Sequence, residues 1–259
     1  MKKIGYIVLM ILLFTACDYR LRPAEDDTIH RIEVKRYDRM ESQYLTTGDY
    51  AALQQMETDY PMETRTLIEN VLKLGSVDDS EIHSRFLAFF QDSTLQVLVS
   101  DAEVAFANMN DVNDQLNVAF EWLSRELPDI QIPVIYAQIG TLDYSIIVGD
   151  HSLGISLDKY MGESYPLYQK YFSASQRKSM NRDNIVPDCI SFYLLSLYPL
   201  HNFENCSQAE RDRHIGKIMW VTNQALGKRF FKTADVRNTE QFMKKHPNMS
   251  VQQLLETTN

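Results

Sequence analysis

The chain has 259 residues, with 26 Lys and Arg against 35 Asp and Glu and a formal net charge of −9. No Lys/Arg-rich stripe interrupts this acidity, which argues against nucleic acid and anionic lipid as partners of the folded body. A hydrophobic content of 44% and an aromatic content of 11% suit a packed globular body, and no internal repeat or low-complexity stretch breaks it.

At the N-terminus Lys2 and Lys3 precede an uncharged, mostly apolar run over residues 4–14, and small Thr15 and Ala16 then lead to Cys17. The run suits the core of a signal peptide and falls well short of the roughly 20 residues a helix needs to span a bilayer. Residues 13–17 (Leu-Phe-Thr-Ala-Cys) resemble a bacterial lipobox, in which the cysteine thiol takes a diacylglyceryl group before cleavage. The expectation is a signal peptide over residues 1–16, lipidation at Cys17, and anchoring of the exported chain to a bilayer of the cell envelope. Each buried methylene contributes about 0.8 kcal/mol and one acyl chain holds only reversibly, so the two or three chains this resemblance implies make a stable anchor. Inner and outer membrane both stay open. Loss of Lys2 and Lys3 with the leader brings the net charge to about −11. Residues 17–31 are polar, with Pro23 and the run Glu25-Asp26-Asp27, and read as a tether.

Residues 32–39 alternate apolar and polar side chains, as a half-buried strand does. Helical patterns follow at residues 50–59 and 61–74, the second opening on Pro61 and ending at Gly75. Ser80 is placed to cap a helix through Phe90, and residues 92–99 form a short helix or an extended link. The strongest helical pattern covers residues 101–127, where Val104, Met109, Val112, Leu116, Ala119, Phe120 and Leu123 fall near helix spacing and Pro128 stops the run. Residues 131–139, 144–148 and 153–157 are rich in Ile, Val and Tyr, are separated by turn-like segments, and predict strands. With residues 32–39 they make a sheet of about four strands. After Gly162 the pattern is helical over residues 165–172, 173–180, 185–197, 207–231, 235–245 and 250–256, with Ser250 as a cap for the last. One strand at the start of the body and the others mid-chain tie both halves into a single, predominantly helical α+β domain over residues 32–259.

No G-x-S-x-G, H-E-x-x-H, P-loop, G-x-G-x-x-G, EF-hand or C-x-x-C occurs, so no cofactor or metal is implied. None of the six histidines, His30, His83, His151, His201, His214 and His246, lies four residues from another, which leaves no two-imidazole helix face for zinc. Asp158 follows a buried-looking strand, where a carboxylate caps the next helix or holds Lys159 or Arg177. Asp188 sits beside Pro187 at a helix start, favourable to the dipole. Tyr160, Tyr165, Tyr168, Tyr171 and Phe172 form an aromatic cluster that either fills core or lines a groove for a peptide or glycan. Asp158, Tyr160, Tyr165, Tyr168, Asp188 and His214 are the candidate ligand or partner surface. For a hydrolase with a dispersed site, the candidates are Asp158, Asp188, His201 and His214. Cys189 and Cys206 form either a disulfide in an oxidising compartment or two free thiols packed as small hydrophobes.

Several stretches carry a family resemblance: residues 132–136 (I-P-V-I-Y), 153–157 (L-G-I-S-L), 157–162 (L-D-K-Y-M-G), 165–168 (Y-P-L-Y), 185–188 (I-V-P-D) and 213–219 (R-H-I-G-K-I-M). Together with the lipobox they resemble the gliding-motility lipoprotein family GldB, most sharply over residues 132–199. That family looks related to zincin-like metallopeptidases, in which a helix after the sheet carries H-E-x-x-H and a later helix adds an acidic ligand. Here the corresponding helix, residues 185–197, has no histidine, and the later one places Gly216-Lys217 where a glutamate-glycine pair is expected. The resemblance therefore implies a peptidase-like scaffold without its metal. It also implies a non-catalytic envelope lipoprotein with a protein partner, in a family needed for gliding and the linked secretion apparatus. A cell-envelope hydrolase and a periplasmic ligand-binding module are the alternatives.

Overall fold

Three short segments, rich in β-branched residues and joined by polar turns, make the sheet. These are β1 (Val134–Gln138), β2 (Ile146–Val148) and β3 (Ser152–Ser156), in the order β1-β3-β2. β3 runs parallel to β1 and antiparallel to β2, with which it forms a hairpin. The computed structural model describes residues 31–257, and from Ile32 onward the chain forms one compact unit. Cys17, the leader and most of the tether lie outside the described residues.

The expected fourth strand is not formed. Residues 32–36 form no regular strand and reach the sheet edge through one parallel bridge, Lys35 to Tyr136. Helix α1 (Tyr37–Thr47) then begins, with Arg36 donating to both carboxylate oxygens of Asp38. Tyr37, Glu41, Tyr44 and Leu45 form the buried face of α1 at helix spacing. The acids Asp38 and Glu41 lie on that same buried face, which hides the helix from a hydrophobic pattern. Gly48, in the left-handed conformation at φ 69°, closes it.

Helix α2 (Tyr50–Asp59) is capped by Asp49, and α3 (Pro61–Arg65) passes into a π-helical turn over Thr66–Val71. Helix α4 (Ile82–Phe89) starts after Glu81, not under a Ser80 cap, and α5 (Ser93–Ala105) is capped by Asp92. The single helix expected over residues 101–127 is instead two, because α5 ends at Ala105 and α6 (Asn110–Glu126) starts afresh. The reason is long-range. Arg36 and Arg39 both donate to the Phe106 carbonyl, and Arg182 donates to the Ala105 and Asn108 carbonyls while pairing with Asp111. Three arginines remote in sequence thus satisfy a helix end that the local pattern leaves open.

After the sheet, a 3-10 turn (Leu157–Lys159) leads to α7 (Pro166–Tyr171) and α8 (Ala174–Arg177). Helices α9 (Ile185–Leu197), α10 (Gln208–Ala225), α11 (Ala234–Lys245) and α12 (Val251–Glu256) follow. Ser207 and Ser250 head reciprocal capping boxes with Glu210 and Gln253.

Alternation along the strands sends side chains into two cores. Ile135, Ala137, Leu153 and Ile155 pack with α6, α9 and α10 residues such as Phe120, Ile190 and Ile218. Tyr136 and Ile139 pack with α1, α2 and α4 residues such as Tyr37, Met56 and Phe86. The sheet is therefore the middle of three layers. Gly154 lies opposite Tyr136 in the register, and a Cβ on it would stand 2.6 Å from the Tyr136 ring. Gly216 plays the same part between α10 and α11, where an added Cβ would fall 2.9 Å from the Asp235 carbonyl carbon. Among the described residues no helix is long and apolar enough to cross a membrane.

Candidate functional site

Strands β1 and β3 end side by side, and their carboxyl ends carry a buried polar layer. Gln138, Ser156 and Asp158 are fully buried there, joined by Glu41 of α1. Glu41 accepts the Ile139 N–H at 2.8 Å through one oxygen, while its other oxygen and the Gln138 side-chain oxygen have no hydrogen-bond partner. Burial, reinforced by the neighbouring charges of Asp38 and Asp158, holds the Glu41 carboxyl well above the usual range.

Asp158 shapes what lies above. Its two oxygens accept the backbone N–H groups of Gly140 and Leu142, each at 2.7 Å. Burial raises its carboxyl to about 6, against the opposing pull of those two N–H groups and of Lys159. Lys159 donates to the Leu142 carbonyl at 2.8 Å. Leu142, a non-glycine residue at φ 68°, is thus gripped at both its N–H and its C=O. The Lys159 ammonium lies 4.4 Å from the Phe172 ring centroid, and burial lowers its proton affinity despite Asp158 and Asp143. Asp158 was expected to cap the next helix or to hold Lys159 or Arg177; both of its oxygens instead go to the turn over residues 140–142, and Lys159 acts on it through charge alone.

Above this turn opens a cavity of about 680 Å³ between the start of α5 and helices α7 and α8. Asp92 and Thr94 line one side, Thr141, Asp143 and Lys159 the floor, and Leu167, Tyr171, Phe172 and Gln176 the other side. A second cavity of about 370 Å³ continues it past Val97, Asp101 and Tyr165, sharing Thr94 and Leu167. The two form one groove.

The aromatic cluster divides between the two expected roles. Tyr160 and Tyr168 are buried. Tyr168 donates to the Asp158 carbonyl and accepts the Met161 N–H, and Tyr160 donates to Asp188 at 2.9 Å. Burial lifts the Asp188 carboxyl to about 6, opposed by that phenol. Tyr165, Tyr171 and Phe172 instead border the groove, and Tyr165 donates to Asp101 at 2.9 Å. Asp158, Tyr160 and Tyr168 therefore lie beneath the surface they were expected to form.

His201 and His214 come together elsewhere. With Tyr198 and Glu256 they line a cavity of about 240 Å³ between the end of α9, the start of α10 and α12, which neither Asp158 nor Asp188 reaches. His214 is buried with its Nε2 unpartnered, and burial lowers its proton affinity. Among the described residues no three His, Cys, Asp or Glu side chains are grouped to hold a metal ion. His83 pairs with Glu57, and His246 contacts the Phe242 carbonyl. Cys189 and Cys206 are both free thiols: Cys189 is packed in the core of α9, and Cys206 is directed at the His201 carbonyl.

A family model described as gliding motility protein GldB matches residues 20–229. The chain belongs to the GldB family. The match spans the sheet, the groove and the helices through the end of α10, so the matched region and the described unit largely coincide. No curated protein and no solved structure matched this GldB chain. The groove residues Asp92, Asp143 and Gln176 have no motif of their own. The L-D-K-Y-M-G stretch, which carries Asp158 and Lys159, and the aromatic cluster with Tyr165, Tyr171 and Phe172 marked the place in the sequence.

Proposed function

We propose that the protein is a lipid-anchored, non-catalytic lipoprotein of the cell envelope whose folded body engages a protein partner within the gliding-motility machinery. Family membership supports the setting. The non-catalytic reading rests on one observation: the carboxylates best placed for chemistry are spent on holding the fold. Asp158 commits both oxygens to backbone N–H groups, and Asp188 takes the Tyr160 phenol. The descent from a zincin-like scaffold belongs to the same proposal. The residues that stand where its later metal ligand is expected have packing roles here, Gly216 against Asp235 and Lys217 donating to the Thr257 carbonyl.

The test is crosslinking and pulldown of the lipidated protein from intact envelopes. Recovery of one stoichiometric protein supports the proposal. Tightly bound zinc in the purified protein, or peptide or cell-wall hydrolysis abolished by Asp188→Asn, overturns it.

A further inference from the structure

The groove over the 140–142 turn has a lining that selects among ligand classes. Its larger cavity, about 680 Å³, is of the size that small ligands occupy. Asp92 and Asp143 present carboxylates, Gln176 an amide and Lys159 an ammonium, all around one space. Asp158 and Asp143 both act on the Lys159 charge and Asp92 adds a third carboxylate nearby, so the lining offers donors and acceptors but no positive field for a polyanion. At the wall stands Tyr171, 59% exposed. Lys170 lies over its ring at 5.1 Å. Phe172 borders the same cavity and meets the buried Tyr168 edge to face, so an aromatic side adjoins the polar floor.

Polypeptide ligands fit this lining poorly. The groove is lined by helices α5, α7 and α8 and the turn over residues 141–143, and no residue of the three strands borders it, so an extended peptide finds no strand edge to join. An amphipathic helix needs a predominantly apolar trough, whereas carboxylates, hydroxyls, an amide and an ammonium face this one. A ring with one apolar face and a rim of hydroxyl or acetamido groups meets both halves of it. We propose that this groove binds a neutral oligosaccharide, stacked on Tyr171 and hydrogen-bonded through Asp143, Asp92 and Gln176. The site stands apart from the protein-partner reading and does not depend on it.

The test is calorimetric titration of the full-length lipoprotein, held in a detergent without a sugar headgroup. Tetramers of N-acetylglucosamine and of glucose serve as probes. Saturable binding of one of them is expected. Tyr171→Ala and Asp143→Asn, both at exposed positions, should each weaken it by about tenfold or more while leaving the thermal midpoint in place. Val118→Ser, on α6 outside the groove lining, should leave binding unchanged. Two results would overturn the site: no saturable heat with either tetramer at millimolar concentration, or binding indifferent to both groove variants. Capture of a polypeptide in place of the sugars, lost on the same two substitutions, would reassign the groove and equally reject the proposal.

Discussion

Asp158→Asn separates the two things the buried carboxylate does. In the wild type both oxygens accept N–H groups at 2.7 Å. The amide keeps one acceptor and turns an NH2 group toward the other N–H, stranding a buried donor at a cost of about 1–3 kcal/mol. At neutral pH the substitution also removes a charge that burial disfavours. The carboxyl sits at about 6 in the folded protein, against about 3.9 in an unfolded chain. Between those values the folded state binds the proton more tightly. The stability contributed by Asp158 is therefore fully present below the unfolded value and is lost as pH rises through about 6. The wild type gains about 2 kcal/mol from this group between pH 7 and pH 4.5, and the asparagine variant gains none. The stability of the wild type relative to the variant should rise by that amount, a difference of about 4–8 °C in melting temperature for a body of this length. Parallel thermal melts by circular dichroism from pH 7 to pH 4.5 measure it. A gap that stays constant across that range would refute both the burial of this carboxylate and its shifted titration.

Gly154→Ala should destabilise by about 1–3 kcal/mol through its clash with the Tyr136 ring, and chemical denaturation should show that cost shrinking when Tyr136→Leu is combined with it. Arg182→Ala should cost about 1–2 kcal/mol and raise hydrogen exchange around residues 105–112, since one guanidinium serves Ala105, Asn108 and Asp111. Arg182→Lys should rescue little of that loss, because an ammonium cannot reproduce the bidentate grip on Asp111. Cys17→Ser should abolish metabolic lipid labelling and leave the precursor uncleaved, and persistent labelling would dispose of the anchor.

Local signals were readable in the sequence where local chemistry decides. Ser207 and Ser250 announce helix starts because their side chains bond the third residue onward. The three mid-chain strands announce themselves by β-branched runs between turns. What escaped was decided at a distance. The break at residues 106–109 depends on Arg36, Arg39 and Arg182, which no window around Phe106 contains. The strand expected over residues 32–39 gave way at Tyr37 because α1 buries Asp38 and Glu41 beside its aromatics, against the usual pattern. Asp158 was singled out for its position after a strand, but its partners, the backbone N–H groups of Gly140 and Leu142, carry no side-chain signature. The groove draws Asp92 from the α5 cap and Gln176 from α8, residues whose sequence context speaks only of helix capping.

The first residues of the body are fastened in a way that bears on mechanics. Asn117 accepts the Ile32 N–H and donates to the Ile32 carbonyl, Asn113 accepts the Val34 N–H, and Lys35 exchanges backbone hydrogen bonds with Ile135 and Ala137. A tension entering at Ile32 is met by all of these in succession, spread over α6 and β1, before it can reach the buried face of α1. A lipoprotein pulled by its anchored end would then have to break side-chain bonds to α6 and backbone bonds to β1 before its first helix is disturbed.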